Sequence, residues 1–265
     1  MNQTQRGNAS ANSLAIGPLI DFLVALQFLS ISPPLFKRLP TARELGRATG
    51  YFPLVGILIG ALLAAGHFLL SRVFPTSVSA ALLLTLWIAL TGALHLDGFL
   101  DSCDGLLGGR TPQKRLEIMK DERVGAFGLA GGVLLIMLKF TALSNLFDPR
   151  TALLVAPSLA RWGMTLSIFA FPYAREEGLG RTMKDQTGVG QALLATGIAL
   201  GVSWFAGGIF GLALAIVTVL VVLLFCRFVL RLVPGMTGDT YGALNELIEL
   251  VVLLAYAAPG FAIIG

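Results

Sequence analysis

The chemistry-bearing residues of this chain are its carboxylates, and they are unevenly placed. Asp and Glu number 15 in 265 residues, yet Asp97, Asp101, Asp104, Glu117, Asp121 and Glu122 fall within 26 of them. The stretch His95-Leu-Asp-Gly-Phe-Leu-Asp-Ser-Cys-Asp-Gly105 directly follows an apolar run. At about 100° per residue on a helix, Asp101 lies about 40° from Asp97 and Asp104 about 20° to its other side. Three carboxylates on one narrow face repel one another, the more so near lipid, so something positive must hold them. Mg²⁺ takes hard oxygen ligands and shares them with substrate phosphates. Asp97, Asp101 and Asp104 are therefore the expected metal ligands, in preference to a merely solvated helix end. The glycines after Asp97 and Asp104 leave room for a ligand to approach the backbone. Arg110, Lys114, Arg115, Lys120 and Arg123 follow in the same loop. A metal-bearing carboxylate face beside such cations suits a pyrophosphate. Arg110 and Lys114 are the expected phosphate ligands, although these cations also fit a basic cytoplasmic loop. His95 is placed to orient Asp97 or to touch a phosphate.

A second group lies near the C-terminus, in Gly235-Met-Thr-Gly-Asp239-Thr-Tyr-Gly242-Ala-Leu-Asn245-Glu246-Leu-Ile-Glu249. Asp239 sits in a glycine-rich loop, and Glu246 and Glu249, at i and i+3, share a helix face. Asn245 and Glu246 are expected to complete a second half-site, against the alternative of acids that merely favour a helix N-terminus. Arg161 and Lys139 lie inside apolar runs, where each needs a partner or a polar cavity. Asp21 and Gln27 are the candidate partners, and Arg161 is expected at the site. A carboxylate near an attacking hydroxyl can accept its proton; Asp121 and Asp239 are both candidates. Cys103 and Cys226 belong to no Cys/His cluster, which argues against zinc.

These groups need positioning elements, and composition says which kind. Charged residues make up 13% of the chain, about half the share of a soluble domain, and hydrophobic residues 55%. That excludes a disordered chain, a coiled coil and an ordinary soluble enzyme. The net charge of +4 comes from too few basic residues for a nucleic-acid binder. Apolar runs cover 14–32, 51–71, 73–96, 125–147, 151–171, 186–226 and 244–264. At about 1.5 Å per residue, 186–226 would span roughly 60 Å, so it must be two spans, with Gly207-Gly208 as the break. The expectation is an all-α, polytopic membrane bundle of seven or eight transmembrane helices, a single domain over 1–265 with a flexible 1–13 and no cleaved signal peptide. The loops holding Lys37, Arg38, Arg43, Arg47, Arg110, Lys114, Arg115, Lys120, Arg123, Arg175, Arg181, Lys184, Arg227 and Arg231 fall on one side. Arg6, Arg72 and Arg150 fall on the other. That asymmetry places the first side in the cytoplasm. Four GxxxG pairs, Gly56/Gly60, Gly128/Gly132, Gly197/Gly201 and Gly207/Gly211, are expected to pack helices within the chain; a homo-oligomer is left open.

The His95–Gly105 motif, with Glu117-Ile-Met-Lys-Asp121-Glu-Arg-Val-Gly125, resembles the signature of the cobalamin synthase family, the adenosylcobinamide-GDP ribazoletransferases. Gly50-Tyr-Phe-Pro-Leu-Val-Gly56, Leu159-Ala-Arg161-Trp, Tyr173-Ala-Arg-Glu-Glu-Gly178-Leu-Gly180 and Thr237-Gly-Asp239-Thr-Tyr-Gly-Ala-Leu-Asn-Glu246 agree with it. The resemblance implies a bacterial inner-membrane enzyme with its site facing the cytoplasm. It would join adenosylcobinamide-GDP to α-ribazole or α-ribazole 5′-phosphate, release GMP and use Mg²⁺. Asp104 would then stand at the centre of the reaction with Asp121 or Asp239 as base. Asp101-x-x-Asp104-Gly105 also resembles the start of the CDP-alcohol phosphotransferase motif. Arg110 arrives one residue late, however, and Gly125 occupies the last acidic position. A transporter using Asp21, Lys139 and Arg161 is the rival from another class, but transporter sites lie near the bilayer midplane, whereas these acids collect at helix ends.

Overall fold

The computed structural model describes residues 17–258; the expectation for 1–13 lies outside them. The elements run α1 (Gly17–Leu29), α2 (Ala42–Ala48), α3 (Phe52–Leu70), α4 (Thr76–Leu90), α5 (Leu94–Cys103), a π-helical turn (Asp104–Gly108), α6 (Pro112–Ile118), α7 (Ala126–Asn145), α8 (Arg150–Ala170), α9 (Leu179–Gln186), α10 (Val189–Leu230) and α11 (Gly238–Ala257). The all-α reading holds among the described residues, with one isolated bridge, Tyr173 to Met236.

Local sequence sets the helix starts. Thr41 caps α2 in a reciprocal box with Glu44, Thr111 caps α6 ahead of Pro112, and Thr237 caps α11, each supplying an acceptor to otherwise orphaned amides. The central element is α8: 83% of its most apolar stretch lies inside the molecule, against 33% for α3, α7 and α10. It packs on α3, α10 and α11. Gly56 and Gly60 of α3 lie against the backbone of Pro157 and Leu153, where a Cβ would collide. Gly128 and Gly132 of α7 likewise receive Asp104 and Leu100, whereas Gly197 and Gly201 meet nothing. Gly207 meets Tyr256 of α11 and Gly211 the backbone at Ser203, so three of the four GxxxG pairs pack within the chain as expected. The outer faces of α7 and α10 carry exposed Phe127, Leu129, Val133, Leu134, Met137, Phe205, Ile209 and Leu224, an apolar surface of the kind a bilayer covers.

Among the described residues, five helices are long and apolar enough to cross a membrane, or six if a bent pair is one span, with the kinked α10 counted once. The run 73–96 is not straight: α4 ends and α5 leaves at 91°, through Gly92 (φ 59°) and Ala93 (φ 57°). The left-handed conformation at Ala93 costs about 1–2 kcal/mol, so the bend is held by its surroundings. The expected break in 186–226 is present at Gly208 (φ 56°, ψ −142°). There the chain folds back, so that Gly211 packs on the Ser203 carbonyl.

Loops 30–50, 104–125, 171–188 and 231–237 gather at one end: Gly46 packs on Gln186, Thr49 bonds Thr187, and Arg115 reaches the Leu232 carbonyl. At the other end His67, Ser71, Phe74 and Asn145 to Phe147 line a separate cavity. The bend turns α5 across the first end, onto α11 and α7.

Candidate active site

Close packing of α5 on α11 builds the site. A Cβ on Gly98 would lie 2.8 Å from the Asp239 carbonyl oxygen, and one on Gly242 3.1 Å from that of His95. At Gly98 the backbone approach leaves no room for a Cβ, and at Gly242 it is tight. Asp97 and Asp239 are thereby brought to one cavity of about 180 Å³, lined also by Phe28, Phe52, His95, Met164, Ile168, Leu179, Met183 and Tyr241. The carboxylates of Asp97, Asp239 and Asp104 all bear electrostatically on Asp101, and Arg175 is the cation that opposes them. Arg175 Nη2 donates to Asp239 Oδ2 at 2.7 Å, and Thr237 Oγ1 donates to the same oxygen at 3.3 Å.

Arg175 is held by its loop. Ala174 N donates to the Met236 carbonyl and Met236 N to that of Pro172, both at 2.8 Å. Tyr173 stacks on Tyr241 with centroids 6.0 Å apart, and burial pushes its phenol up from the ordinary range. On its outer side this loop borders an open groove of about 830 Å³ lined by Gln113, Glu117, Lys120, Arg175, Glu176 and Glu177.

Other residues singled out in the sequence lie elsewhere. Asp104 is buried, and its oxygens accept from Gly125 N at 2.7 Å and Gly128 N at 2.8 Å. It thus caps the N-terminus of α7, so its carboxylate is engaged by that helix rather than lining the cavity. Among the described residues no three His, Cys, Asp or Glu side chains converge on a point that could hold a metal ion. Asp121 is exposed and engaged by Arg123 at 2.9 and 2.7 Å, which holds its carboxyl down to about 2. Arg110 is exposed, and Lys114 pairs with Glu117 at 2.8 Å. Asp121, Arg110 and Lys114 do not line the cavity.

A family model described as cobalamin-5-phosphate synthase matches residues 21–257. The chain belongs to that family. Relatives named adenosylcobinamide-GDP ribazoletransferase include one from Desulfitobacterium hafniense (strain Y51), 40% identical, covering 87% of this chain and 94% of its own length. One from Stutzerimonas stutzeri (strain A1501) is 41% identical, covering 90% and 98%, and one from Pseudomonas aeruginosa (strain UCBPP-PA14) is 43% identical, covering 90% and 98%. No solved structure matches the chain. As a member of the cobalamin-5-phosphate synthase family it is a transferase of cobalamin synthesis.

Beneath the cavity lies a buried charge network. Lys139 Nζ donates to Glu246 and to Glu249 Oε2 at 2.6 Å. Arg161 Nη1 donates to Glu249 Oε1 at 2.8 Å, as does Asn245 Nδ2 at 3.0 Å. Two cations and two carboxylates balance, as burial requires. The expected partners were different: Asp21 instead faces Arg47 at 3.4 Å, and Gln27 accepts from Leu35 N. Arg161 and Asn245 are thus engaged with Glu249, and Glu246 with Lys139, rather than lining the cavity. A transport path through Lys139 and Arg161 has no support in side chains so paired. Sequence reasoning missed the contribution of Arg175 and, although it placed Glu249 on one face with Glu246, missed its pairing with Lys139 and Arg161. Two intramembrane cations against an i, i+3 acid pair in the last span were the available signal for Glu249.

Proposed function

We propose that the cavity between α5 and α11 is where a ribose hydroxyl of α-ribazole, or of α-ribazole 5′-phosphate, attacks the cobinamide-bearing phosphorus of adenosylcobinamide-GDP. A new P–O bond forms, the bond to the GMP phosphate breaks, and GMP leaves. Family membership makes the chain an adenosylcobinamide-GDP ribazoletransferase. The observation that carries the placement is the meeting of Asp97 and Asp239, 142 positions apart in the chain (239 − 97), at one cavity.

The donor set fits Mg²⁺. Asp97 and Asp101 are hard-oxygen donors on successive turns of α5, and Mg²⁺ usually takes only one or two carboxylates, the rest being water and phosphate oxygens. When bound there it would neutralise developing charge on the phosphoryl oxygens. Asp239 accepts the proton of the attacking hydroxyl; Arg175 fixes its orientation and, with Lys120, faces the groove where departing phosphate charge can be met. Asp121, already bound by Arg123, is the poorer base. The basic end faces the cytoplasm of a bacterial inner membrane, a reading supported by the loop-charge asymmetry and by soluble nucleotide substrates.

The test is a proteoliposome assay with both substrates, with Mg²⁺ or EDTA, following GMP and joined corrinoid by mass spectrometry. Metal-dependent product, lost in Asp97→Asn and Asp239→Asn, is expected. No product from folded wild type overturns the reading.

A further inference from the structure

We infer that the apolar depth of this cavity is the receptor for the planar base of the nucleoside acceptor, and that Ile168 and its neighbours set the size of base accepted. The inference rests on the proposed reaction and adds which substrate enters the cavity, in which direction, and against which side chains.

The cavity is graded in polarity. Phe52, Met164, Ile168 and Met183 are buried apolar side chains, whereas Leu94, Asp97, Leu179 and Gly238, also in its lining, are exposed. A ligand entering from the exposed rim must therefore put its apolar end in first and leave its polar end beside Asp97 and Asp239. The base of α-ribazole is a dimethylbenzimidazole, a flat apolar bicycle, and its ribose is polar. Inserted this way, the nucleoside leaves its ribose hydroxyls at the carboxylates.

Size agrees with this assignment. A dry apolar cavity of about 150 Å³ takes benzene, and this one, at about 180 Å³, is partly enclosed and open at a rim where the sugar need not be buried. It cannot admit a corrinoid macrocycle. The guanine nucleotide, polar and charged, suits the open groove with Lys120, Arg175, Glu176 and Glu177.

Filling or emptying the depth should discriminate among bases. In proteoliposomes, Ile168→Phe is expected to raise KM for dimethylbenzimidazole riboside by about tenfold or more, since a methylene in an apolar pocket is worth a factor of about 10 to 200. KM for unmethylated benzimidazole riboside should change much less, and KM for adenosylcobinamide-GDP not at all. Ile168→Ala should narrow or reverse the preference for the methylated base, and it serves if the larger side chain impairs folding. Calorimetric titration of each riboside into wild-type and variant protein in nanodiscs, without corrinoid, reads the same preference independently of turnover. Equal effects on both ribosides, or an effect on the corrinoid substrate alone, overturn the inference while leaving the transferase reading intact. A wild type that makes no product overturns that reading instead.

Discussion

At the residue scale, Asp239 and Asp121 differ in what already holds them. Asp121 lies outside the cavity, and Arg123 depresses its carboxyl to about 2, so it is ionised at any working pH above about 4. A group whose pKa is lowered in this way loses its charge only as pH falls through the lowered value. Asp121→Asn is therefore expected to leave the acid limb of the pH–rate profile where it is and to lower kcat by no more than a few-fold. Asp239→Asn should lower kcat by about 100-fold or more, the usual worth of a positioned base. Parallel profiles of the two variants check this, and a displaced acid limb in Asp121→Asn would reverse the assignment. Arg175 acts through Asp239: Arg175→Lys keeps the charge but loses the planar fork, so a drop in kcat is expected with little change in KM for the nucleoside.

Among elements, the decisive facts are where α5 lies and what α11 contributes to each side of it. The apolar runs made the helices legible in the sequence, and Gly207-Gly208 announced the break in α10, because helix interiors tolerate such a pair poorly. The 91° bend between α4 and α5 was not legible. It depends on a left-handed Ala93, which local propensity disfavours and only tertiary packing explains. The stripe of Asp97 and Asp101 was readable from helical spacing, but the fate of Asp104 was not, since spacing within one helix does not tell which neighbouring helix takes up its carboxylate. Its two bonds to α7 amides give a prediction for the element: Asp104→Ala removes a charged N-cap and should destabilise the protein by about 1–2 kcal/mol, read as a lower Tm in detergent. The network of Lys139 and Arg161 with Glu246 and Glu249 was misread because helices distant in sequence supply the two signs of charge. Removing one member leaves a buried unpaired charge and costs about 3–5 kcal/mol. Lys139→Met should therefore be among the most destabilising single changes, and Lys139→Met with Glu246→Gln should recover part of the loss. Thermal melts of the single and double variants measure the recovery.

For the whole molecule, the two ends have different jobs. Six helices, α1, α3, α5, α8, α9 and α11, contribute to the cavity lining, and the basic loops surround its mouth, while the opposite end holds Arg72, Asp148 and Arg150, the last two paired at 2.6 Å. This polarity suits an enzyme whose nucleotide substrates are soluble and whose scaffold is anchored in lipid. It also makes the membrane orientation measurable. Lys120 borders the groove beside Arg175, and Phe147 is exposed at the far end. In a background without Cys103 and Cys226, Lys120→Cys should react with a membrane-impermeant maleimide only in inside-out vesicles, and Phe147→Cys only in right-side-out ones. If both label from the same side, these two ends do not lie on opposite faces of the bilayer. If the pattern is inverted, the loop charges run against the positive-inside rule and the active site faces away from the cytoplasm, where nucleotide substrates could not reach it. The expected pattern, together with protection of Lys120→Cys by GMP but not of Phe147→Cys, would tie the nucleotide to the groove and the groove to the cytoplasmic face in one experiment.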